Sequence, residues 1–465
     1  MALPQNYAED PHRQKLEEAR VLSQEGKYQE ALALANDLLS DDFDNTVALF
    51  IIGYCLLKTE KYGLAYNIFM RCAGLKPDRS EPWNNAGMCH QETWNLDDAE
   101  RCFRKSLQLE PDNAAAMQNL ALIYVNRCQP EEALKWVRRA EQTNQPTWEA
   151  LDNKALALLM KGQWEEGWKC YRATAGRDKV RQLRAYRTPD EPMWNGEKGT
   201  VVIYGTQGLG DELSFASCIP DALERANVII DCDHRLEGLF KRSFPKATVY
   251  GTRFKDVHWE AEVDYSIPID CLTSIFRNRE EDFPGVPYLI PDPERRLQWR
   301  ALFDTMRKPV IGIAWTGGKK STGKKKRSLT LDHLEPLLRS VDATWVSLEY
   351  RDKSDEIEAF KKKTGIQIHE WKRATQTQDY DDTAGLVAEL DCVVSVTTAI
   401  IHLCGAIGKE CYCLVPNLPR WFYQIERDGL PWYKAVKLFR QPKGEGWSKP
   451  ITDISNLLKL KYGPR

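Results

Sequence analysis

Three stretches of this chain carry residue types that could do chemistry together. The first, "GTQGLGDELSF" (205–215), ends a run of β-formers in a glycine cluster and opens a helical pattern. A dinucleotide fingerprint needs G-x-G-x-x-G with an acid about 20 residues on. Gly208 and Gly210 fill the first two positions, and Asp231 or Asp233 could pass for the acid. The third position is Leu213, however, and Asp211 would set a negative charge beside a pyrophosphate, which argues against NAD. Two readings remain open. The glycines make a tight strand–helix turn and Asp211 caps the helix, or Asp211 is a general base aimed at an acceptor hydroxyl.

The other two stretches suit an anion. "WTGGKKSTGKKKR" (315–327) joins Thr316 and Gly317 to a run of cations that includes Lys324 and Arg327. Flexible backbone with positive charge fits a diphosphate, although most of these lysines read equally well as a solvated loop. "SVTTAIIHLCGAIGK" (395–409) puts Thr397 and Thr398 at a helix start, where hydroxyls and free N–H groups form an anion site. His402 lies on the same helical face as Thr398; a lone helical histidine is more often structural, and the neighbouring threonines raise the case for ligand contact. The D-x-D in "DYDD" (379–382) precedes "TAGLVAEL", so helix capping is its better reading. No cluster with zinc spacing, G-x-S-x-G or P-loop is present, so neither a metal nor a tightly held cofactor is expected.

These residues must be positioned by strands. "TVVIYG", "ANVIIDCD", "ATVYG" and "VDYSIPI" alternate with helical patterns at 211–225 and 234–244. A second series, "PVIGIAW", "TWVSLEY", "IQIHEW", "DCVVSV" and "ECYCLVP", alternates with helical segments at 331–340, 352–364, 382–390 and 399–408. Such alternation implies parallel sheets, here two Rossmann-like domains, 199–305 and 306–465, facing a cleft. Ligands of open α/β sheets sit beyond the carboxyl ends of the strands, where all three stretches fall.

Residues 12–172 are different: they repeat every 34. Small residues recur at Ala19, Gly53, Gly87, Ala121 and Ala155, and again at Ala31, Ala65, Ala99, Ala133 and Gly167. Phe69, Phe103, Val137 and Tyr171 follow four after the second series. Small residues admit close helix approach and the larger ones fill the gaps between hairpins, so 1–172 reads as an α-solenoid of five units, resembling the tetratricopeptide repeat. Asn85, Asn119 and Asn153 step by the same period. A row of carboxamides can hold a peptide backbone without reading its side chains; alternatively each asparagine bonds a neighbouring turn. Residues 173–198, polar, basic and then proline-containing, read as a linker.

Composition narrows the partners. A net charge of −2 over 465 residues argues against a generic nucleic-acid or membrane-surface binder. The N-terminus has no apolar h-region and no run reaches spanning length, so a cytoplasmic protein is expected. Thirteen scattered cysteines without CxxC pairs fit buried, reduced thiols.

The ordered motifs "QGLGD", "GIAWTGG…RSL", "DTAGLVAELDCVVSVTTAIIHLCGAIGK" and "PWYKAVKLFRQ", behind a repeat array, resemble bacterial and phage repeat-containing glycosyltransferases of the heptosyltransferase-like group, distantly similar to the O-linked N-acetylglucosamine transferase. The resemblance implies a GT-B fold and metal-independent, inverting transfer of a sugar from a nucleotide diphosphate-sugar. Asp211 matches the aspartate proposed as base, and the basic loop and the Thr398–His402 segment match the donor-diphosphate region. Where the family has aspartate then threonine, this chain has Thr397 and Thr398, which bears on the sugar and on activity itself; Glu349, where glutamine is common, would compensate. A protein or peptide acceptor held by the repeats is expected. A glycan or a hydroxylated DNA base is the alternative within the class, and a catalytically inactive, partner-binding scaffold the alternative outside it.

Overall fold

A computed structural model describes residues 12–143, 147–174, 191–252, 262–318 and 327–463. Lys324 with the rest of the lysine run, and most of the 173–198 segment, lie outside the described residues. The chain divides into two compact units at Ala157/Leu158.

The first unit is a helical solenoid: α1 (Arg13–Gln24), α2 (Tyr28–Asp41), α3 (Thr46–Lys58), α4 (Tyr62–Leu75), α5 (Glu81–Glu92), α6 (Leu96–Leu109), α7 (Ala114–Asn126) and α8 (Pro130–Glu141), with α9 (Trp148–Met160) running into the second unit. The small-residue grid works as a packing device. A Cβ on Gly53 would come within 2.7 Å of the Phe69 ring, and one on Gly87 within 2.6 Å of Phe103. Glycine there lets an aromatic ring of the second helix seat directly on the backbone of the first. The turn between paired helices repeats as faithfully: Gly26, Glu60, Trp94 and Cys128 all have positive φ, as does Gly162 in the second unit. At three of these five positions a non-glycine residue holds the left-handed conformation the turn demands.

The second unit contains two sheets. The first is parallel, in the order β3-β2-β1-β4, from β1 (Thr200–Tyr204), β2 (Asn227–Asp231), β3 (Thr248–Tyr250) and β4 (Tyr265–Pro268). Its helices are α11 (Leu209–Phe215), α12 (Ile219–Leu223), α13 (Glu237–Ser243) and α14 (Thr273–Phe276), preceded by α10 (Trp164–Ala173) and followed by α15 (Pro293–Phe303). The second sheet has the order β10-β11-β9-β8-β5-β6-β7. It comprises β5 (Val310–Ala314), β6 (Thr344–Ser347), β7 (Ile368–His369), β8 (Cys392–Val396), β9 (Cys411–Val415), β10 (Gly429–Leu430) and β11 (Tyr433–Arg440). Among the described strands only the β10–β11 pair is antiparallel. Every residue of β5, β8 and β9 is buried, as expected for central strands of a sheet covered on both faces. The covering helices are α16 (Leu331–Leu338), α17 (Ser354–Thr364), α18 (Lys372–Thr375), α19 (Tyr380–Glu389), α20 (Ala399–Ile407) and α21 (Ser448–Tyr462).

Two boundaries differ from the sequence expectation. The repeat pattern runs to 172, yet α10 belongs to the α/β unit. Trp168 donates to the Arg277 carbonyl at 2.9 Å and Trp164 to Glu280 at 3.1 Å, and both rings join a cluster with Phe283, Trp421 and Trp432. Likewise α15 precedes the expected cut at 305/306 but packs on the second sheet's α19, through Arg295 on Asp379 and Asp382 and Arg296 on Glu389. Strands β10 and β11 and helices α14, α15, α18 and α21 are additions to the predicted elements. In β11 the buried positions are interrupted by exposed Lys434 and Lys437, which masked the strand. Twelve of the thirteen cysteines are buried, and all are free thiols.

Candidate active site

The glycine turn is built by close contacts. Gly205 donates to the Asp231 carbonyl at 2.7 Å, and a Cβ there would fall 2.4 Å from the Glu212 carboxyl carbon. Gln207 takes a left-handed conformation, φ 57°. Its side chain is held from two directions, donating to Tyr171 Oη at 2.6 Å and to Asp270 Oδ2 at 2.9 Å, while Tyr171 donates to the same carboxylate at 3.1 Å. Gly208 then caps α11, and its N–H donates to Asp211 Oδ2 at 3.0 Å. The capping role weighed for Asp211 is therefore present. It leaves the aspartate partly accessible, at the carboxyl end of β1.

Gly210 has a second purpose. A Cβ on it would lie 3.3 Å from Ala399 Cα and 3.2 Å from His402 Cδ2, so α11 crosses α20 almost backbone to backbone. The turn that bears Asp211 thus meets the helix that begins at Thr397–Thr398.

On the second sheet, Glu349 is buried, and its Oε1 accepts from the backbone N–H groups of Trp315 and Thr316, both at 2.7 Å. Its Oε2 accepts from the Thr316 hydroxyl. Burial pushes the Glu349 carboxyl up, against these bonds. The carboxylate is committed to the turn after β5, which it braces. Gly317 donates to Ser328 Oγ at 3.1 Å, and its missing Cβ would lie 3.2 Å from the Arg327 carbonyl and 3.4 Å from that of Thr397. Thr316, Gly317, Arg327 and Thr397 therefore form one cluster. Thr398 is the N-cap of α20 and accepts from Ile400 N–H at 3.3 Å. The Thr397 hydroxyl is buried and makes no hydrogen bond among the described residues.

Charges converge on this cluster. Burial holds the Arg327 guanidinium below its ordinary range; the neighbouring Arg420 pushes the same way, while Tyr423, Asp211 and Tyr350 oppose it. Asp211 also acts on the buried hydroxyls of Tyr423 and Tyr433. Arg420 is exposed and has no ion pair among the described residues. The sequence reading missed Arg420, Tyr350, Tyr423 and the Tyr171–Asp270–Gln207 bracket. For Arg420 and Tyr350 the signal was available: each lies a few residues beyond the carboxyl end of a strand.

His402 packs edge-on to Phe422, ring centroids 4.8 Å apart, and its Nδ1 lies 3.4 Å from Tyr433 Oη. Burial pushes its pKa down to about 4 from an ordinary 6.5, so near neutrality it is an uncharged hydrogen-bonding group. Between those two values the unfolded chain binds the proton and the folded one does not, so stability falls as pH drops through this window. His402→Phe is expected to flatten the pH dependence of the urea midpoint between pH 6.5 and about 4; an unchanged slope would remove His402 as its cause.

The remaining candidates are engaged elsewhere. Asp379 caps α19, accepting from Asp381 N–H at 3.1 Å, and Asp381 is buried against Arg242, so "DYDD" is a cap and an ion-pair anchor. In the first unit Asn85 donates to Glu81 O of its own helix at 2.8 Å, and Asn119 to Asn84 Oδ1 at 3.0 Å. Asn153, which is buried, donates to Gln118 O at 3.0 Å. Each amide of the row thus makes one hydrogen bond within the array, two of them stitching adjacent repeats. Among the described residues no group of three His, Cys, Asp or Glu could hold a metal ion, and no helix is long and apolar enough to cross a membrane.

Against known proteins, the chain is 29% identical over 289 residues to Protein FlbA of Caulobacter vibrioides, covering 57% of this chain and 48% of that protein. The chain thus spans about half the length of the curated relative it matches. Among solved structures, a thermophilic TPR protein of Thermus thermophilus is 17% identical, with 37% of this chain and 93% of that chain covered and a TM-score of 0.33. YrrB, a TPR protein with an unusual peptide-binding site, is also 17% identical, with 34% and 80% covered and a TM-score of 0.28. Tetratricopeptide repeat family models match residues 47–79 and 92–159, which together with the 34-residue grid makes the N-terminal solenoid a tetratricopeptide-repeat array.

Proposed function

We propose that this protein is a glycosyltransferase of GT-B architecture that moves a sugar from a nucleotide diphosphate-sugar to an acceptor hydroxyl, with inversion and without a metal. The observation that carries this reading is the contact at Gly210, where the turn bearing Asp211 meets the Thr397–Thr398 start of α20. A candidate base and a candidate anion site then lie beyond the carboxyl ends of parallel strands, β1 in one sheet and β8 in the other. Asp211 takes the proton of the acceptor hydroxyl as its oxygen bonds to the anomeric carbon, and the bond from that carbon to the diphosphate breaks on the opposite face. Arg327, Arg420 and the N–H groups at the start of α20 offset the charge of the departing diphosphate. His402, uncharged, contributes a hydrogen bond rather than a positive charge. The acceptor favoured is a protein or peptide recruited by the repeats, a common role of such arrays; one internal bond per asparagine leaves each carboxamide a second N–H and its oxygen for that backbone.

The test is a thermal-shift and nucleotide-release screen against UDP-, GDP-, ADP- and CMP-linked sugars. A donor that raises the melting temperature and slowly releases its nucleotide is the expected result. One observation favours a second reading, a partner-binding scaffold: Asp211 already accepts the Gly208 N–H. Absence of both a shift and turnover with every donor would select it.

A further inference from the structure

We infer that Tyr350 is the surface on which the base of the bound nucleotide stacks, a proposal that rests on the nucleotide-sugar reading above and specifies how that site grips its donor. In the second sheet β8, β5 and β6 are consecutive neighbours and parallel, so the residues following them lie side by side along one edge. Thr397 follows β8, Thr316 and Gly317 follow β5, and Glu349 and Tyr350 lie just beyond β6. Gly317 abuts the Thr397 carbonyl, and Glu349 grips the backbone of Trp315 and Thr316. That grip fixes the backbone of the adjoining Tyr350 to the same cluster. From β8 to β6 is two strand spacings, about 10 Å. A diphosphate held at the Thr397 end would therefore extend its ribose and base toward Tyr350.

The ring suits that task. Tyr350 is 49% exposed, and it is the only aromatic among the exposed large hydrophobic residues of the second unit, within the described residues. Single exposed apolar side chains are ordinary; this one stands at the carboxyl edge of the sheet, close enough to Arg327 to act on its charge. The Arg351 guanidinium lies over the ring, 5.2 Å from its centroid. A cation on one face of a tyrosine leaves the other for a flat, electron-poor partner. Because every base has a π-face, stacking of this kind holds a nucleotide without choosing its base. Base identity would then be set by other groups, and several nucleoside diphosphates would bind comparably.

The experiment is titration calorimetry of the full chain, its Tyr350→Ala variant and its Tyr350→Phe variant, with UDP, GDP, ADP and inorganic pyrophosphate. Expected is a loss of about 5- to 150-fold in nucleoside diphosphate affinity for Tyr350→Ala. Pyrophosphate affinity should be unchanged and Tyr350→Phe should bind as the parent does. Equal nucleoside diphosphate affinity in parent and Tyr350→Ala would overturn the stacking role alone. An equal loss for pyrophosphate would overturn it too, by showing that Tyr350 shapes the anion cluster. A parent protein that binds pyrophosphate or nothing, but no nucleoside diphosphate, would overturn both this inference and the donor reading beneath it.

Discussion

Asp211→Asn is expected to lower turnover of the nucleotide-sugar about 10²- to 10⁴-fold while leaving donor affinity and folding close to those of the parent, the range a positioned general base supplies. Asparagine is the informative replacement because Asp211 has two tasks. Its Oδ2 accepts the Gly208 N–H at the start of α11. A carboxamide oxygen keeps an acceptor for that N–H but cannot take a proton at neutral pH. Asp211→Ala would remove both tasks at once and confuse them. Steady-state kinetics beside a thermal melt separates the two: a fall in kcat with an unshifted melt assigns a chemical role. A kcat within about tenfold of the parent would leave Asp211 as a cap and shift the weight to the scaffold reading.

The second large effect concerns stability. Trp168→Ala is expected to cost about 3–5 kcal/mol, the range for truncating a fully buried aromatic residue. The Trp168 side chain is fully buried, packed edge-to-face on Tyr171 and Trp421 and stacked on Trp164. Its indole N–H satisfies the Arg277 carbonyl, and Arg277 is itself buried, bonded to the Ser217 carbonyl and to Asp221. Truncation therefore opens a cavity and leaves a buried carbonyl without its donor. Urea denaturation followed by far-UV circular dichroism reads the loss. A change below about 1 kcal/mol would mean that the cavity collapses and that α10 is not a keystone of the α/β unit. The same helix carries Tyr171, which with Asp270 holds Gln207 in the glycine turn. A destabilised α10 should therefore also loosen the turn that presents Asp211.

Legibility in the sequence followed the range of the forces involved. The solenoid was readable because one local packing rule recurs every 34 residues: a small residue at 53 or 87 faces an aromatic at 69 or 103. Strands β1 to β9 were readable as apolar runs, most clearly β5, β8 and β9, central strands that bury both faces. Harder features were those whose residue type carries no mark. The left-handed turn positions are filled by Gly26 and Gly162 but also by Glu60, Trp94 and Cys128. The repeat holds that conformation whatever the side chain.

At the candidate site the same division holds. Residue types and the strand–turn–helix pattern by themselves determined a repeat array, two α/β sheets, and the placement of Asp211, Thr316, Gly317, Thr397 and Thr398 just beyond strands. Only the tertiary structure decided what each side chain does there. It turned Glu349 inward onto the Trp315–Thr316 backbone, tied the Asn119 and Asn153 amides to the preceding repeat, and set Gly210 against Ala399. The reason is physical: periodicity and turn chemistry act over a few residues along the chain, whereas these orientations are fixed by contacts between segments far apart in sequence, which only the folded chain brings together.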